Sequence, residues 1–404
     1  MFVVALLARG AWGGFRLAQT SGAASLEFPD ERQYWLMATS LHSGTGLRDE
    51  FGFRATRMPL YPAVLSLAAG LKHGVVVAKT AQWLVGAAAA ALVVAIATRL
   101  CGHRVGIVAG LFVALDPFLV CFASLLLTET LFTAGVIVLW WLVVPILVTN
   151  GDGSRLGRWT AIGFAAAACA YVRESAVGLV ALLLVLVTLC RGFDRRILVG
   201  VLLSGSIMLA TLSLWAVRNN RVTGDCCWLT HRLGISLYDG VGPQADGSSN
   251  LGGIQQMDPV LGMDEVAWNR FFLRESFAAM RADPARVARL AVTKLGRTWN
   301  PFPNVATYQS RFARLVSAVW CMPMFSLAVV GVILMPRILQ RGGWGIAALL
   351  LLPALYVSAL HTVFVGSVRY RIAAMPMLEI LSAFALVVIV ERGLSGRLIG
   401  RPTS

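Results

Sequence analysis

Charge is scarce in this sequence: 14% of its 404 residues are charged against 57% hydrophobic, and its mean hydropathy is +0.73. A soluble chain of this length carries nearly twice that share of charge, so a water-solvated globule is excluded. Strict alternation of apolar and polar residues is also missing, which excludes a transmembrane barrel. Inside lipid every backbone N–H and C=O must be paired within the segment, so the apolar blocks are expected to be helices. Metal-ligand spacing is absent among the seven cysteines. Cys101, Cys121, Cys169, Cys190 and Cys321 lie in or beside apolar blocks as small hydrophobes, and adjacent Cys226 and Cys227 are poorly placed to bridge each other. No internal repeat is visible, and low complexity is confined to the alanine run Ala87–Ala91. The net charge of +15 comes almost entirely from arginine, but no basic stretch is interleaved with stacking aromatics away from the apolar blocks. Nucleic acid is therefore set aside as a partner.

What the sequence does contain is apolar blocks. They run Met1–Ala18, Val75–Thr98, Val105–Ala123, Leu125–Val148, Trp159–Val172, Ala176–Cys190, Ile197–Val217, Leu315–Met335, Trp344–Phe364 and Ile372–Val390, about ten spans in all. The expected architecture is an all-α polytopic bundle in three parts: an N-terminal membrane module over 1–217 with a first loop at about 20–74, a long loop over 218–314, and C-terminal spans with a tail over 315–404. With a cytoplasmic N-terminus, alternate connections hold Arg99 and Arg104, Arg155 and Arg158, Arg191, Arg195 and Arg196, Arg337 and Arg341, then Arg392, Arg397 and Arg401. That is the positive-inside pattern, and it puts both loops on the extracytoplasmic side. The arginines also suit anionic lipid headgroups. A cleaved signal peptide ending in the small residues Ser21–Ser25 is the competing reading of the first block and leaves the same loop outside. In the long loop a helix is expected from Ala285, with Val287, Leu290, Ala291, Leu295 and Trp299 on one face and Arg286, Arg289 and Arg297 off it, lying in the headgroup plane.

Polar residues at the membrane edge are informative because each costs free energy unless something offsets it. The first loop reads Phe28-Pro29-Asp30-Glu31-Arg32-Gln33-Tyr34. Asp30 as N-cap with Gln33 three residues on would be a capping box, worth about 1 kcal/mol, with Glu31 facing the helix dipole. The functional alternative is a general base fixed at a helix start, and since neighbouring helical residues point about 100° apart, only one of the two carboxylates would face a substrate. Arg57, in Arg57-Met58-Pro59-Leu60-Tyr61-Pro62, suits either a phosphate or a lipid headgroup. Glu129, between apolar runs, suggests a polar cavity, whereas Arg173-Glu174 reads as a pair across a helix junction. Arg369-Tyr370-Arg371 opens the last span with two guanidiniums at a helix N-terminus, an anion site in form.

The order of these motifs, with Trp215-x-x-Arg218-Asn219 between them, resembles the GT-C membrane glycosyltransferases, most nearly the protein O-mannosyltransferase and lipid A aminoarabinose transferase branch. The resemblance implies inverting transfer of a sugar from a polyprenyl-phosphate donor to a lipid, glycan or protein acceptor at the outer face of a bacterial-type cell membrane. Asp30 matches the family's base, Glu129 its second-loop acidic position and Arg57 the cation near the donor phosphate, with Tyr34, Tyr61 and Tyr370 as further substrate contacts. Arg369 and Arg371 are candidate phosphate ligands on local physics. Two departures stand out, Glu129 where Asp is common and no C-terminal soluble domain within these residues, so the acceptor is not carried over. Asp30, Glu31 and Glu129 could also ligate a divalent cation if the fold joins them. A transporter or lipid flippase is the alternative, and it predicts ionisable residues near span centres, of which Lys79 is a candidate. A structural assembly partner with a degenerate site is a third reading.

Overall fold

A block of about 20 apolar residues in hydrocarbon can satisfy its backbone only by coiling, and each block read as a span is helical in the computed structural model of the chain. The structure describes residues 1–19, 26–149, 156–257, 261–339 and 342–399. Ser21–Ser25, Arg155, Arg341 and Arg401 lie outside the described residues, among which there is no β-strand. The protein is an all-α membrane bundle.

Helix α1 (Phe2–Gln19) leads to two helices of the first loop, α2 (Pro29–His42) and α3 (Leu60–Ala69). Then come α4 (Gly74–Cys101), α5 (His103–Leu115), α6 (Pro117–Phe122), α7 (Glu129–Val148), α8 (Leu156–Val172), α9 (Ala176–Arg191) and α10 (Arg195–Thr223). The long loop holds α11 (Leu233–Val241), α12 (Leu251–Gln255), α13 (Glu265–Ala282) and α14 (Pro284–Thr298). After α15 (Arg311–Leu339) and α16 (Gly343–Val363), the short α17 (Val368–Arg371) runs through a 3-10 turn into α18 (Met375–Ile399). Among the described residues six stretches are long and apolar enough to cross a membrane, namely α4, α7, α10, α15, α16 and the run Tyr370–Arg392. Helices α3, α5, α8 and α9 are apolar but shorter.

One expected span is divided. The block Val105–Ala123 breaks at Asp116-Pro117, where the proline has no N–H to continue the ladder. Asp116 starts the new helix by accepting from the Phe118 and Leu119 amides at 2.7 and 2.9 Å. Its other oxygen accepts from the Trp320 indole at 3.0 Å. Arg9, also buried, faces Asp116 and Glu379 and donates to the carbonyls of Ala5, Val113 and Ala114. Glu379 is fully enclosed, about two turns into the last span. This interior cluster was not expected from sequence. Lys79 is no span-centre charge, since it sits early in α4 within electrostatic reach of Glu31.

Helix α14 starts as expected, but apart from the exposed Arg289 the basic groups Arg286, Lys294 and Arg297 face protein. Its buried stripe is Leu290, Lys294 and Thr298. The Lys294 ammonium donates to the Val363 carbonyl at 2.7 Å, Arg286 to Val241 at 2.6 Å and Arg297 to Gly366 at 3.3 Å. Burial, then Arg286, lowers the Lys294 ammonium to about 8. The helix therefore clamps the far end of α16 to the long loop, because these donors can reach carbonyls left open at helix ends.

Small residues set the closest helix crossings, as expected where lipid offers no hydrophobic drive. A Cβ at Gly331 of α15 would stand 2.2 Å from the Leu381 carbonyl oxygen of α18. Gly331→Ala is expected to lower the apparent melting temperature in detergent by the equivalent of about 1–3 kcal/mol. An unchanged melting curve would show that these two helices are free to separate.

Candidate active site

Helix α2 begins because Pro29 supplies a preset φ at its first position and the preceding Phe28 is extended. Phe28, not Asp30, is therefore the N-cap, and Glu31 at the third position closes the capping box. One Glu31 oxygen accepts from the Glu27 and Phe28 amides at 2.8 and 3.0 Å, and the other from the Leu126 amide at 2.7 Å. Burial pushes this carboxyl up against those bonds. Glu31 is thus a clip between the first loop and the turn before α7, and its oxygens are occupied.

With capping assigned to Glu31, Asp30 projects elsewhere. Its Oδ1 accepts from Arg57 Nη2 at 2.6 Å and its Oδ2 from Arg369 Nη1 at 2.5 Å. Arg369 also donates through Nε to Glu129, whose same oxygen accepts from Arg173 Nη1 at 3.1 Å. Residues from α2, the first loop, α7, the turn after α8, and α17 thereby meet at one end of the bundle. Burial alone would raise the Asp30 carboxyl, but Arg57 and then Arg369 outweigh it and hold it well below the usual carboxylate range. Burial would likewise lower the Arg57 guanidinium, which Tyr34 and Asp30 instead raise.

The tyrosines stand behind these groups. Tyr34 accepts from Arg57 at 3.3 Å and lies under its guanidinium, 4.9 Å from ring centre to carbon. Tyr61 meets Tyr34 edge-on and donates to Gln82 at 2.8 Å. Tyr370 stacks on His361 at 3.9 Å, with Arg173 over its ring. All three support the cluster.

Arg371 does not join it. Two residues along a helix turn the side chain by about 200°, and Arg371 points into the bundle. It is fully buried, donates to the Thr298 and Asn300 carbonyls at 3.2 and 2.5 Å, and lies over the Phe118 and Phe325 rings. Nor do Arg173 and Glu174 pair with each other: Arg173 turns to Glu129 and Glu174 accepts from the Thr230 hydroxyl. The Trp215-x-x-Arg218-Asn219 motif is a set of ties. The Trp215 indole and Asn219 amide donate to the Leu229 carbonyl, and Arg218 donates to Arg54.

Two groups escaped sequence reasoning. Gln33 accepts from Arg57 Nε at 2.7 Å while donating to Glu50 at 2.9 Å, so it fixes the guanidinium plane. The side chain of Arg232, just before α11, makes no hydrogen bond or ion pair with any described residue, yet lies within electrostatic reach of Asp30 and Arg57. Burial and then Arg57 lower its guanidinium. A lone arginine in a loop carries no local signal of either role.

Each of the three carboxylates that could ligate a divalent cation already has partners. Asp30 and Glu129 face guanidiniums, Glu31 faces backbone amides, and no group of three acidic, His or Cys side chains converges among the described residues.

No family model matches the chain, and no curated protein matches it by sequence. Solved structures do. The oligosaccharyltransferase AglB from Archaeoglobus fulgidus, in complex with an inhibitory peptide and a dolichol-phosphate, superposes with a TM-score of 0.57 at 11% identity, covering 100% of this chain and 52% of that one. The Archaeoglobus fulgidus oligosaccharyltransferase in the apo form gives 0.58 at 14% identity with the same coverage. ArnT from Cupriavidus metallidurans bound to undecaprenyl phosphate gives 0.46 at 16% identity, covering 96% of this chain and 78% of that one. The chain spans about half the length of the oligosaccharyltransferases, and at these identities the shared property is the fold. The likeness is therefore one of fold, shared with the matched half of the Archaeoglobus fulgidus oligosaccharyltransferase.

The cluster has a pH signature. A carboxylate whose folded pKa is depressed contributes stability above its unfolded value of about 3.9 and loses it as pH falls further. The difference in apparent melting temperature between wild type and Asp30→Asn should hold from pH 7 to 5 and shrink below about pH 4. A difference independent of pH down to 3 would mean that the arginines do not hold Asp30 as an anion.

Proposed function

We propose that the protein is an inverting glycosyltransferase that moves a sugar from a polyprenyl-phosphate donor to an acceptor hydroxyl at the extracytoplasmic membrane face. The observation that carries this reading is one carboxylate, Asp30, gripped through both oxygens by two arginines at the end of a membrane bundle. An inverting transfer needs a base for the acceptor hydroxyl and cations for the departing phosphate. The motif resemblance to GT-C glycosyltransferases, and a fold neighbour in complex with a dolichol-phosphate, support the same class of donor.

Without donor, Asp30 is a poor base, since both its oxygens already accept charged hydrogen bonds. A phosphodiester offers Arg57 and Arg369 competing anionic oxygens, and guanidinium forks bind phosphate bidentately. As the arginines turn to the phosphate, an Asp30 oxygen is released and its basicity returns. Donor binding thus switches on the base. The acceptor hydroxyl gives its proton to Asp30, and its oxygen bonds to the anomeric carbon on the face opposite the phosphate. The carbon–oxygen bond to phosphate breaks, and polyprenyl phosphate leaves with the electron pair, stabilised by Arg57 and Arg369. Three guanidiniums (Arg57, Arg173, Arg369) against two carboxylates leave one positive charge, opposite in sign to the phosphodiester. Glu129 is a positioning residue that aims Arg369.

The transport alternative would draw on Arg9, Asp116 and Glu379. Arg9 is held by three carbonyls and Asp116 by two amides and an indole, which makes those two residues a fastening within the bundle.

The test is incubation of the purified chain with a panel of polyprenyl-phosphate sugars and release of polyprenyl phosphate as readout. One donor is expected to be consumed, and Asp30→Asn, folded by melting curve, should slow its transfer about 10²–10⁴-fold. No consumption of any donor by wild type would remove the proposal, and unchanged transfer by Asp30→Asn would remove the base assignment.

Arg369→Gln takes away the cation shared by Asp30 and Glu129. Breaking a buried pair by deleting one partner costs about 3–5 kcal/mol. Arg369→Gln is therefore expected to lower the melting temperature at pH 7, and Arg369→Lys, which keeps the charge, to lower it less. Equal loss in the two variants would show that charge is not the cause.

A further inference from the structure

One acidic residue of the bundle interior has no part in the Asp30 cluster and no partner among amides or guanidiniums. Glu379 lies in the last span and its side chain is fully enclosed. Both of its carboxyl oxygens are buried, and neither receives a hydrogen bond. A carboxylate taken out of water is tolerated only where donors or a countercharge meet its oxygens.

The elements packed around Glu379 do not bring them. Helix α18 lies against α4, α5, α15 and α16. The charged and titratable side chains of α4, α5 and α16 stand towards the helix ends: Lys79 and Arg99, His103 and Arg104, and His361. From α15 the Cys321 thiol comes within electrostatic reach, while Arg371 turns its guanidinium to the Thr298 and Asn300 carbonyls. Arg9 of α1 is also within electrostatic reach. Its Nη1 and Nη2 donate to the Ala5, Val113 and Ala114 carbonyls, and its Nε lies against Gly86 of α4, where a Cβ would stand 2.6 Å away. That Nε has no acceptor, so Arg9 lends Glu379 charge but no N–H.

What does meet Glu379 is a second carboxyl group, since the Asp116 side chain lies within hydrogen-bond reach. Asp116 Oδ1 accepts from the Phe118 and Leu119 amides, and Oδ2 accepts from the Trp320 indole. Two carboxylates in contact repel each other, and one proton between them removes the repulsion. With three N–H donors on Asp116 and none on Glu379, the proton belongs on Glu379. Oδ2 of Asp116, with a single donor, keeps a lone pair to receive it.

We propose that Glu379 is a proton-binding site in the bundle interior, holding one proton and donating it in a hydrogen bond to Asp116. The bound proton ties the last span to the break between α5 and α6, and the inference does not depend on the glycosyltransferase reading.

Infrared spectroscopy of the full chain in lipid nanodiscs tests it. A protonated carboxyl gives a C=O stretch separate from the carboxylate and amide bands, and isotopic labelling of glutamate carboxyl carbons shifts that stretch only where a glutamate carries it. At neutral pH the wild type should show a glutamate component that Glu379→Gln lacks. Stability in mixed detergent micelles gives a second readout. The amide keeps the size and the donor of the acid but does not titrate. A carboxyl that keeps its proton in the folded state contributes stability that is complete below its unfolded value of about 4.3 and is lost as pH rises. The unfolding constant of wild type relative to Glu379→Gln should therefore rise about tenfold per pH unit between about pH 5 and about pH 7. The site would be overturned by a glutamate band identical in the two proteins, or by a stability difference constant over that range. Failure of Glu379→Gln to fold would overturn it as well, because an amide replaces a protonated acid with its hydrogen bond kept.

Discussion

Arg369 reaches two carboxylates that arrive from distant parts of the chain, Asp30 on α2 and Glu129 at the start of α7. Glu129 is almost fully enclosed next to apolar helices. An ionised carboxylate is tolerated in such a place only with its countercharge in hydrogen-bond contact. The position of α17 is therefore dictated electrostatically: it must bring a guanidinium to the one place where both acids can share it. The first loop, the turn after α8 and the segment linking α16 to the last span are arranged around that requirement.

The rest of the loop structure is held by a second kind of contact, charged side chains on backbone groups. Glu31, Asp49 and Glu265 accept from amides, while Arg218, Arg286, Lys294 and Arg371 donate to carbonyls. Irregular backbone between helices cannot pair with itself, and each unpaired buried group is costly. Long charged side chains close those gaps and turn flexible connections into a fixed frame. Asp30, Arg57 and Arg369 stand out because they face one another rather than the frame.

Periodicity and hydropathy made the spans legible, and the motif order picked out Asp30, Glu129, Arg57 and Arg369 as neighbours. What stayed illegible was the direction of each side chain. Asp30 and Glu31 differ by about 100° of helical rotation, which sends one to the cluster and the other to backbone amides. Arg369 and Arg371 differ by about 200°, which sends them to opposite sides. The helix start decides these angles, and it lies at Phe28 because Pro29 fits the first helical position, a choice that the Asp-x-x-Gln spacing obscured. The break at Asp116-Pro117 carried a local signal, whereas the pairing of Arg173 with Glu129 and the isolation of Arg232 are set by tertiary placement alone.

The pairing of Asp30 with Arg369 spans 339 residues. At the usual pace of about 5–20 residues per second, the ribosome needs roughly 20–70 s between making the first and the last of these side chains. During that interval Asp30 and Glu129 sit in a growing bundle without their shared cation. Until the last span enters, Asp30 has Arg57 to face, but Glu129 has only Arg173. Insertion of the final segment is then what gives the enclosed Glu129 its second countercharge, so the edge cluster is completed and the bundle becomes fully stable in the same step. A chain that stalls before that helix would carry an electrostatic fault at that edge, with Asp30 and Glu129 each short of a cation.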